Sequence, residues 1–293
     1  PEKILVITFT RAAAMEMRQR FVSLMGEDLP VVFGTFHSVF FRMLQEEYGL
    51  ESDALATGKM RLQLLREAAS RCHVKSDRQD FFQVISREFS YIKNTGIDPA
   101  EYHSREFPGI PMGRFFDAYE EQKEVYGLLD FDDMLTKTLS MFRENPRILE
   151  RWRGRFSFYL LDEVQDMNRL QFQIIRLLAH PHNNLFAVGD DDQSIYAFRG
   201  ADPGLMLEFP KYYPDCRKIL LEENYRCSPQ ILSAANNLIA HNGKRYAKKL
   251  HSAAEAGEAV SFCRYPTAQQ EGEGLVRAIK DRLAAGEKPG DMA

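Results

Sequence analysis

The sequence lacks the features that would assign it to several large classes of protein. It has only four cysteines in 293 residues, widely spaced and without a C-x-x-C pair, which predicts free thiols in a reducing compartment rather than disulfides or a zinc site. No apolar run approaches the ~20 residues that a membrane-spanning helix needs. We therefore exclude a disulfide-rich scaffold and expect a cytoplasmic protein without a membrane partner.

Positive charge is also scarce. Lysine and arginine number 38 against 42 aspartates and glutamates, and the net charge is −4. A protein that binds nucleic acid through its overall charge would have the opposite balance. A local binding groove remains compatible with these numbers, because the field at a surface depends on where the charges lie rather than on their sum.

A third absence concerns phosphate binding. The loop pattern G-x-x-x-x-G-K-[ST] binds the phosphates of many nucleotides. The two Gly-Lys pairs, Gly58-Lys59 and Gly243-Lys244, have no glycine five positions earlier and are followed by methionine and arginine. We therefore expect these 293 residues alone to have negligible ATPase activity.

Apolar strand patterns alternate with helix patterns along much of the chain. The runs ILVITF (4–9) and VVFGTF (31–36) are typical of buried strands, and Thr10 and Gly26 are placed to begin and end a helix between them. This alternation predicts a parallel α/β sheet. The further strands are predicted at 156–163, 185–190, 217–224 and 259–265. The further helices are predicted at 168–179, 228–241 and 267–285.

Residues 38–150 break this alternation. Five segments there, from SVFFRMLQEEYG to DFDDMLTKTLSMF, are amphipathic at helical spacing. We therefore predict an all-helical insertion at 38–150 within a first α/β domain that consists of 1–37 and 151–215. Residues 216–293 are predicted to begin a second α/β domain.

Two predicted strands end in acidic turns. FYLLDEVQD contains Asp162 and Glu163, and AVGDDDQ contains Asp190 and Gln193. In open parallel sheets, ligands bind beyond the carboxyl ends of the strands. Two carboxylates there can hold a hydrated Mg²⁺, and Glu163 is placed to orient or deprotonate a water that attacks a phosphate. A solvated acid pair and an Asp-rich turn are the alternative interpretations.

An aromatic segment follows the second acidic turn. Tyr196 and Phe198 stand two residues apart and Arg199 comes next; in an extended segment this spacing puts both rings on one side. Stacking of a base on such a ring contributes about 1–3 kcal/mol, although two core aromatics would give the same pattern. Tyr225 and Arg226 follow a further predicted strand and are candidates for an adenine and a γ-phosphate contact, with a surface ion pair as the alternative for Arg226.

Five segments resemble the motifs of the UvrD/Rep-like superfamily 1 DNA helicases, in the same order and rough spacing. They are TFTRAAAMEMRQR, GTFHS, LLDEVQD, VGDDDQSIYAFRGA and LEENYRCSPQIL, and GLLDFDDML (127–135) resembles a further family segment. GDDDQSIYAFRGA is highly specific for this family, and the resemblance covers nearly the whole chain. It implies a RecA-like parallel sheet with a large all-helical insertion, followed by the start of a second RecA-like domain.

The resemblance also implies roles for individual residues. Asp162 and Glu163 would bind Mg²⁺ and the attacking water, and Gln193 would sense the γ-phosphate of ATP. Arg226 would contact that phosphate from the second domain, where Tyr225 would stack on the adenine. The residues that would line single-stranded DNA are Phe9, His37, Tyr196, Phe198 and Arg199.

The implied activity is that of an ATP-dependent DNA helicase that moves 3′ to 5′ along single-stranded DNA and opens its junctions with duplex, in DNA repair or replication and beside proteins of those processes. Family order places the phosphate loop just before residue 1 and the last motifs after residue 293, so we expect a fragment. Three alternatives remain open. They are the helicase module of a RecB/AddA-like helicase–nuclease, a DNA-binding scaffold that does not hydrolyse ATP, and a RecA-like ATPase that does not unwind.

Overall fold

The structure is a computed structural model that describes residues 1–292, apart from the side chain of Arg199. The chain forms two compact units, Pro1–Cys216 and Arg217–Ala293. Each unit is described by itself below. The four cysteines are free thiols, as predicted, and within residues 1–292 no helix is both long and apolar enough to cross a membrane.

The first unit contains a four-stranded parallel sheet, which confirms the predicted α/β class. Its strands lie in the order β2-β1-β3-β4, and Ile7 of the central strand pairs with Gly34 on one side and Leu161 on the other. The central strand is fully buried at Leu5 and Ile7 because helices cover both faces of a parallel sheet. The strands are β1 (Ile4–Thr8), β2 (Val32–Thr35), β3 (Phe158–Leu161) and β4 (Leu185–Ala187).

Helix α1 (Arg11–Met25) begins and ends where the sequence predicts. The Thr10 side chain accepts a hydrogen bond from the backbone N–H of Ala13, and Gly26 ends the helix at φ 75°. A polar N-cap side chain satisfies one of the unpaired N–H groups at a helix start, and glycine adopts the left-handed conformation of the helix end without strain. The helix predicted at 168–179 is also confirmed, at Arg169–Ala179 with Asn168 as its N-cap.

Helices and no strands occupy the described residues between β2 and β3. They form two apolar cores. One core contains the sheet together with side chains from the first and the last two helices, and the other belongs to the three helices between them. The helices are α2 (Phe36–Tyr48), α3 (Gly58–Arg71), α4 (Phe81–Thr95), α5 (Met112–Val125), α6 (Phe131–Glu144) and α7 (Pro146–Arg155). The limits of a separate insertion therefore stay a prediction.

The first unit ends with α8 (Arg169–Ala179) and two short helices, α9 (Gly204–Leu207) and α10 (Phe209–Tyr212). Asn168 caps α8 through a reciprocal pair of hydrogen bonds with Gln171. Such a capping box satisfies two N–H groups at once. It fixes the start of α8 directly behind the acidic turn that follows β3.

The second unit differs from its predicted strands. Only Glu223 and Asn224 of the segment 217–224 form a strand, β5, which pairs in parallel with β6 (His251–Ser252). Segment 259–265 forms no strand, so that prediction is wrong. A strand requires a pairing partner as well as an apolar run, and neither 217–221 nor 259–265 forms a strand pairing within residues 1–292.

Its two helices are confirmed. Helix α11 (Pro229–Ile239) and helix α12 (Ala268–Ala284) lie within one or two residues of the predicted limits. Leu232 is the only buried residue among 217–292, whereas Leu221 is 81% exposed and Phe262 is 90% exposed. The described part of this unit therefore has little core of its own.

Candidate functional site

The carboxyl ends of the four strands lie at one edge of the sheet. Because the strands are parallel and in register, Thr8 pairs with Thr35, and Leu161 pairs with both Ile7 and Ala187. The residues that leave these strand ends therefore converge at this edge, as ligand-binding residues do in open parallel sheets. They include Phe9, His37, Asp162, Glu163 and the segment 188–193.

Asp162 is held in place by the neighbouring strand. The buried Thr8 hydroxyl donates a hydrogen bond to Asp162 Oδ2 at 3.0 Å, and the Asp162 backbone N–H donates to the Ile7 carbonyl at 2.9 Å. Asp162 itself is half-buried. Its carboxylate thus has a fixed direction at the edge, which a metal ligand requires.

Glu163 has a backbone conformation that is unusual for its type. Its φ of 53° and ψ of 44° lie in the left-handed region, which costs a residue with a Cβ about 1–3 kcal/mol. This conformation ends β3 abruptly and leaves the Glu163 side chain exposed. Backbone strain of this kind concentrates at functional sites, so the turn supports the predicted role of Glu163.

Gln165 joins the two acidic turns, a role that sequence reasoning did not assign. Its Nε2 donates to Glu163 Oε2 at 2.7 Å, and its Oε1 accepts from the backbone N–H of Asp190 at 3.0 Å. Its carbonyl accepts from the Ser194 hydroxyl at 3.2 Å. Gln165 is only 2% exposed. One buried amide therefore links the turn after β3 to the turn after β4.

Gly189 permits this approach. A Cβ placed on Gly189 would lie 2.6 Å from Gln165 Oε1 and 2.8 Å from Val164 Cγ2. Both distances are shorter than a carbon atom tolerates, and both neighbours are buried. The glycine in the motif AVGDDDQ is therefore explained by close packing rather than by φ.

Gln193 lies at the same edge, in a short 3-10 turn. Its Nε2 donates to Asp190 Oδ2 at 2.7 Å, while Asp190 Oδ1 accepts from the Asp192 backbone N–H at 3.2 Å. The Gln193 side chain is exposed. A glutamine amide nitrogen has two hydrogens to donate, so the bond to Asp190 does not by itself prevent Nε2 from contacting a phosphate oxygen.

The acids of this edge fit a divalent cation. Asp162 and Glu163 are consecutive, one half-buried and one exposed, and Mg²⁺ is bound through one or two carboxylates together with phosphate oxygens and water. A third acid, Asp166, is buried, and burial followed by the charge of Glu163 raises its pKa. Asp166 is therefore less suited to a metal than the two acids before it.

The predicted DNA-lining rings lie beside this acidic edge. Phe9 stacks on Tyr196 with ring centroids 5.0 Å apart at 29°, and Tyr196 lies 6.0 Å from Phe198. The prediction of an extended segment is wrong, because Ala197–Arg199 is a 3-10 turn. The rings are nevertheless adjacent, and Phe198 is 69% exposed. The Arg199 side chain lies outside the described part of the chain.

His37 lies in the first turn of α2, directly after β2, and its described ring partner is Phe131 at the start of α6. It meets Phe131 edge to face at 5.8 Å. Burial lowers the pKa of His37, and the charge of Asp132 opposes this effect only in part. His37 is therefore neutral at pH 7. If it contacts single-stranded DNA, it does so through its ring and not through a positive charge.

Tyr225 and Arg226 belong to the second unit and follow β5. The Tyr225 ring is 76% exposed, and its hydroxyl donates to Glu223 at 2.5 Å, a hydrogen bond that raises the pKa of Tyr225. The Arg226 backbone N–H donates to Asn224 Oδ1 at 3.0 Å. Their roles at the nucleotide stay predictions.

Comparison with known proteins agrees with these features. Residues 1–214 match the UvrD/REP helicase N-terminal domain, and residues 219–293 match the UvrD-like helicase C-terminal domain. YjcD of Bacillus subtilis is 34% identical over this whole chain, and the ATP-dependent DNA helicase PcrA is 33% identical both in Staphylococcus epidermidis and in Staphylococcus aureus. The chain spans 39% to 41% of the length of these relatives.

Proposed function

The chain belongs to the UvrD/Rep family of helicases, and we propose that the full-length protein is an ATP-dependent DNA helicase. It moves 3′ to 5′ along single-stranded DNA, opens junctions with duplex, and acts in DNA repair or replication. The names of its PcrA relatives support the ATP-dependent helicase activity. The direction and the biological process rest on the resemblance of its motifs.

One observation supports this proposal more directly than the others. The Thr8 hydroxyl holds the carboxylate of Asp162, and the very next residue, Phe9, stacks on Tyr196. Thr8, which contacts a predicted Mg²⁺ ligand, and Phe9, which stacks on a predicted DNA contact, are therefore consecutive in the chain. A change at the acids can reach the rings through a single peptide unit.

The acidic edge would handle ATP as follows. Asp162 and Glu163 would bind Mg²⁺, which stabilises the charge that develops on phosphate oxygens during transfer. Glu163 would orient the attacking water and accept its proton, a role that contributes typically about 10²–10⁴-fold in rate. Gln165 would keep Glu163 in place through its 2.7 Å hydrogen bond, because catalytic side chains need a supporting partner.

The aromatic rings beside the acidic turns would bind single-stranded DNA. Phe9, Tyr196 and Phe198 form a continuous series of rings, and base stacking is tolerant of sequence because every base has a π-face. This mode suits a chain whose net charge is −4, since it does not depend on overall positive charge. We expect binding without sequence preference, as a translocating enzyme requires.

Unwinding of tailed duplexes by the full-length protein tests this proposal. We expect ATP- and Mg²⁺-dependent unwinding of a duplex with a 3′ single-stranded tail and little unwinding of the same duplex with a 5′ tail. Hydrolysis of ATP without unwinding of either substrate would favour a translocase or ATPase instead. Binding of DNA without hydrolysis would favour a scaffold, and both outcomes would contradict the proposal.

A further inference from the structure

Asn94 lies between helix α6, the start of helix α8 and the turn that carries Phe198. It is in the last turn of α4 and is 6% exposed. Its Nδ2 donates to Asp132 Oδ1 at 2.7 Å and to the Ser90 carbonyl at 2.8 Å. Its Oδ1 accepts from Asn168 Nδ2 at 2.8 Å. Both ends of one buried amide are thus bound to other elements.

The Asn168 contact leads to the acidic turn. Asn168 is the capping residue of α8 and follows the turn of Glu163 and Gln165 by a few residues. Its Oδ1 accepts from the Gln171 backbone N–H at 2.9 Å, so its Nδ2 remains oriented toward Asn94. Asn94 therefore contacts the start of α8, a few residues beyond the turn that carries the predicted catalytic acids.

The turn that carries Tyr196 and Phe198 lies against the same side chain. Gly200 has φ 86°, and a Cβ placed on it would lie 3.3 Å from Asn94 Cβ and 3.9 Å from Asn94 Cγ. The next residues are tied to the α8 start, because Ala201 forms an isolated bridge with Asn168 and the Asp202 N–H donates to the Met167 carbonyl at 3.0 Å. The turn is therefore held between Asn94 and the segment 167–169.

The third contact of Asn94 is itself fixed. Asp132 Oδ1 also accepts from the Ser90 hydroxyl at 2.8 Å, and Asp132 Oδ2 lies 3.7 Å from the Arg61 guanidinium. Asp132 is 6% exposed. A buried carboxylate with these partners is costly to displace, so it holds the Asn94 side chain in a fixed position against α6.

We propose that Asn94 is a positioning residue for single-stranded DNA. It holds the turn that carries Phe198 in a fixed place relative to the acidic edge, and it contacts neither DNA nor nucleotide. The inference rests on the proposed function, because it takes Phe198 to be a strand contact. Asn94 connects α4 and α6 to the turn that carries Phe198, and it lies outside the sequence motifs that contain the rings and the acids.

Asn94→Ala in the full-length protein should separate DNA affinity from turnover. The substitution keeps the Asn94 Cβ that lies nearest Gly200 but removes its carboxamide. The buried amide of Asn168 then has lost the Asn94 acceptor, and a small void lies between α4 and the turn, so the turn is less ordered. We expect the DNA concentration for half-maximal stimulation of ATP hydrolysis to rise about tenfold. The rate at saturating DNA should change by less than about twofold, because the contacts of Glu163 and Gln165 do not involve Asn94.

A reversal of hydrogen-bond polarity distinguishes positioning from general damage. Asn94→Asp keeps the acceptor for Asn168 but sets a carboxylate against Asp132, so DNA affinity should fall at least as far as in Asn94→Ala. The new carboxylate also faces the Ser90 carbonyl, which accepts from Asn94 Nδ2 at 2.8 Å in the wild type. The rate of ATP hydrolysis at saturating DNA should again stay within about twofold of wild type, because the contacts of Glu163 and Gln165 are unchanged.

Thr95→Ala is the matched control in the same helical turn. Thr95 is exposed and its hydroxyl donates to the Tyr91 carbonyl of its own helix at 2.7 Å, so DNA affinity should stay at the wild-type value. Anisotropy with labelled single-stranded DNA measures affinity directly for all four proteins. Unchanged affinity in Asn94→Ala, or a loss of the saturating rate as large as the loss of affinity in both Asn94 variants, overturns the inference while leaving the proposed function intact. Failure of wild type to bind the strand overturns both.

Discussion

Gly189 is the residue at which the acidic edge has no room for a side chain. In Gly189→Ala the new methyl group would lie 2.6 Å from Gln165 Oε1, where overpacking costs about 1–3 kcal/mol. We expect the Gln165 amide to lose its bond to the Asp190 N–H and Glu163 to lose its orientation. DNA-stimulated ATP turnover of the full-length protein should therefore fall by roughly tenfold or more.

Gly154→Ala is the control for this prediction. Gly154 lies in α7 with no atom near its absent Cβ, and alanine is preferred to glycine in a helix by about 1 kcal/mol. Its turnover should match wild type. Wild-type turnover in Gly189→Ala would show that the close approach of the two turns is dispensable.

Sequence reasoning reached some of these residues and missed others for a physical reason. Asp162 and Glu163 follow an apolar strand, which predicts their place at the sheet edge from local pattern alone. Gln165 was not assigned because one of its partners is the backbone N–H of Asp190, in the turn after β4. Only the order of strands in space shows that one amide can reach both turns.

At the scale of elements, a buried ionic cluster joins α4, α5 and α6. Lys93 and Lys123 each contact Asp130 Oδ2, at 3.0 and 3.1 Å, and they bind opposite oxygens of Asp133 at 2.7 and 2.6 Å. All four side chains are at most 6% exposed. Asp130 and Asp133 also form the capping box of α6, so the cluster determines where that helix begins.

Lys123→Met should destabilise this layer strongly. Removal of one partner from a buried pair leaves uncompensated charge and costs about 3–5 kcal/mol. Arg20→Met is the control, because it breaks only the exposed pair with Glu16 and should leave the stability of α4, α5 and α6 unchanged. Hydrogen exchange of α6 peptides in the full-length protein measures the free energy of opening. Equal protection of α6 in both variants would mean that the cluster contributes nothing to the helical layer.

The cluster also predicts the direction of a pH effect. Burial acts to raise the pKa of Asp130, but the charges of Lys93 and Lys123 outweigh it and hold that pKa below its usual range. A carboxyl with a lowered folded pKa stabilises the fold above its unfolded pKa of about 3.9, and that stability is lost as the pH falls further. The difference between wild type and Lys123→Met in α6 should therefore be full at pH 7 and shrink below about pH 4.

Helices with local signals were predicted well, and strands were predicted less evenly. Helix α1 carries its own start and stop signals in Thr10 and Gly26, so its limits follow from the sequence. The four strands of the first unit were also predicted, whereas segments 217–221 and 259–265 carry strand-like apolar runs but form no strand in the described residues 1–292. Strand formation depends on a neighbour that a local pattern does not reveal.

At the scale of the whole molecule, the parallel sheet brings motifs that are far apart in sequence together at one edge. There they form two adjacent surfaces, the acidic turns after β3 and β4 and the rings of Phe9, Tyr196 and Phe198. Its strand order places Phe9 between the acids of β3 and the end of β2. The family resemblance implies which residues would contact nucleotide and which would contact DNA, and those roles stay predictions. It did not reveal that Thr8 and Phe9, consecutive residues, contact one surface each.

The central claim is that Glu163 activates water at an ATP site next to the strand-binding rings. Glu163→Gln in the full-length protein tests it most directly, because the amide keeps the shape of the side chain and its acceptor for Gln165 Nε2 but cannot take a proton. We measure DNA-stimulated ATP hydrolysis together with the affinities for ATP and single-stranded DNA. Turnover should fall by at least about 100-fold with both affinities preserved, and wild-type turnover would contradict the account.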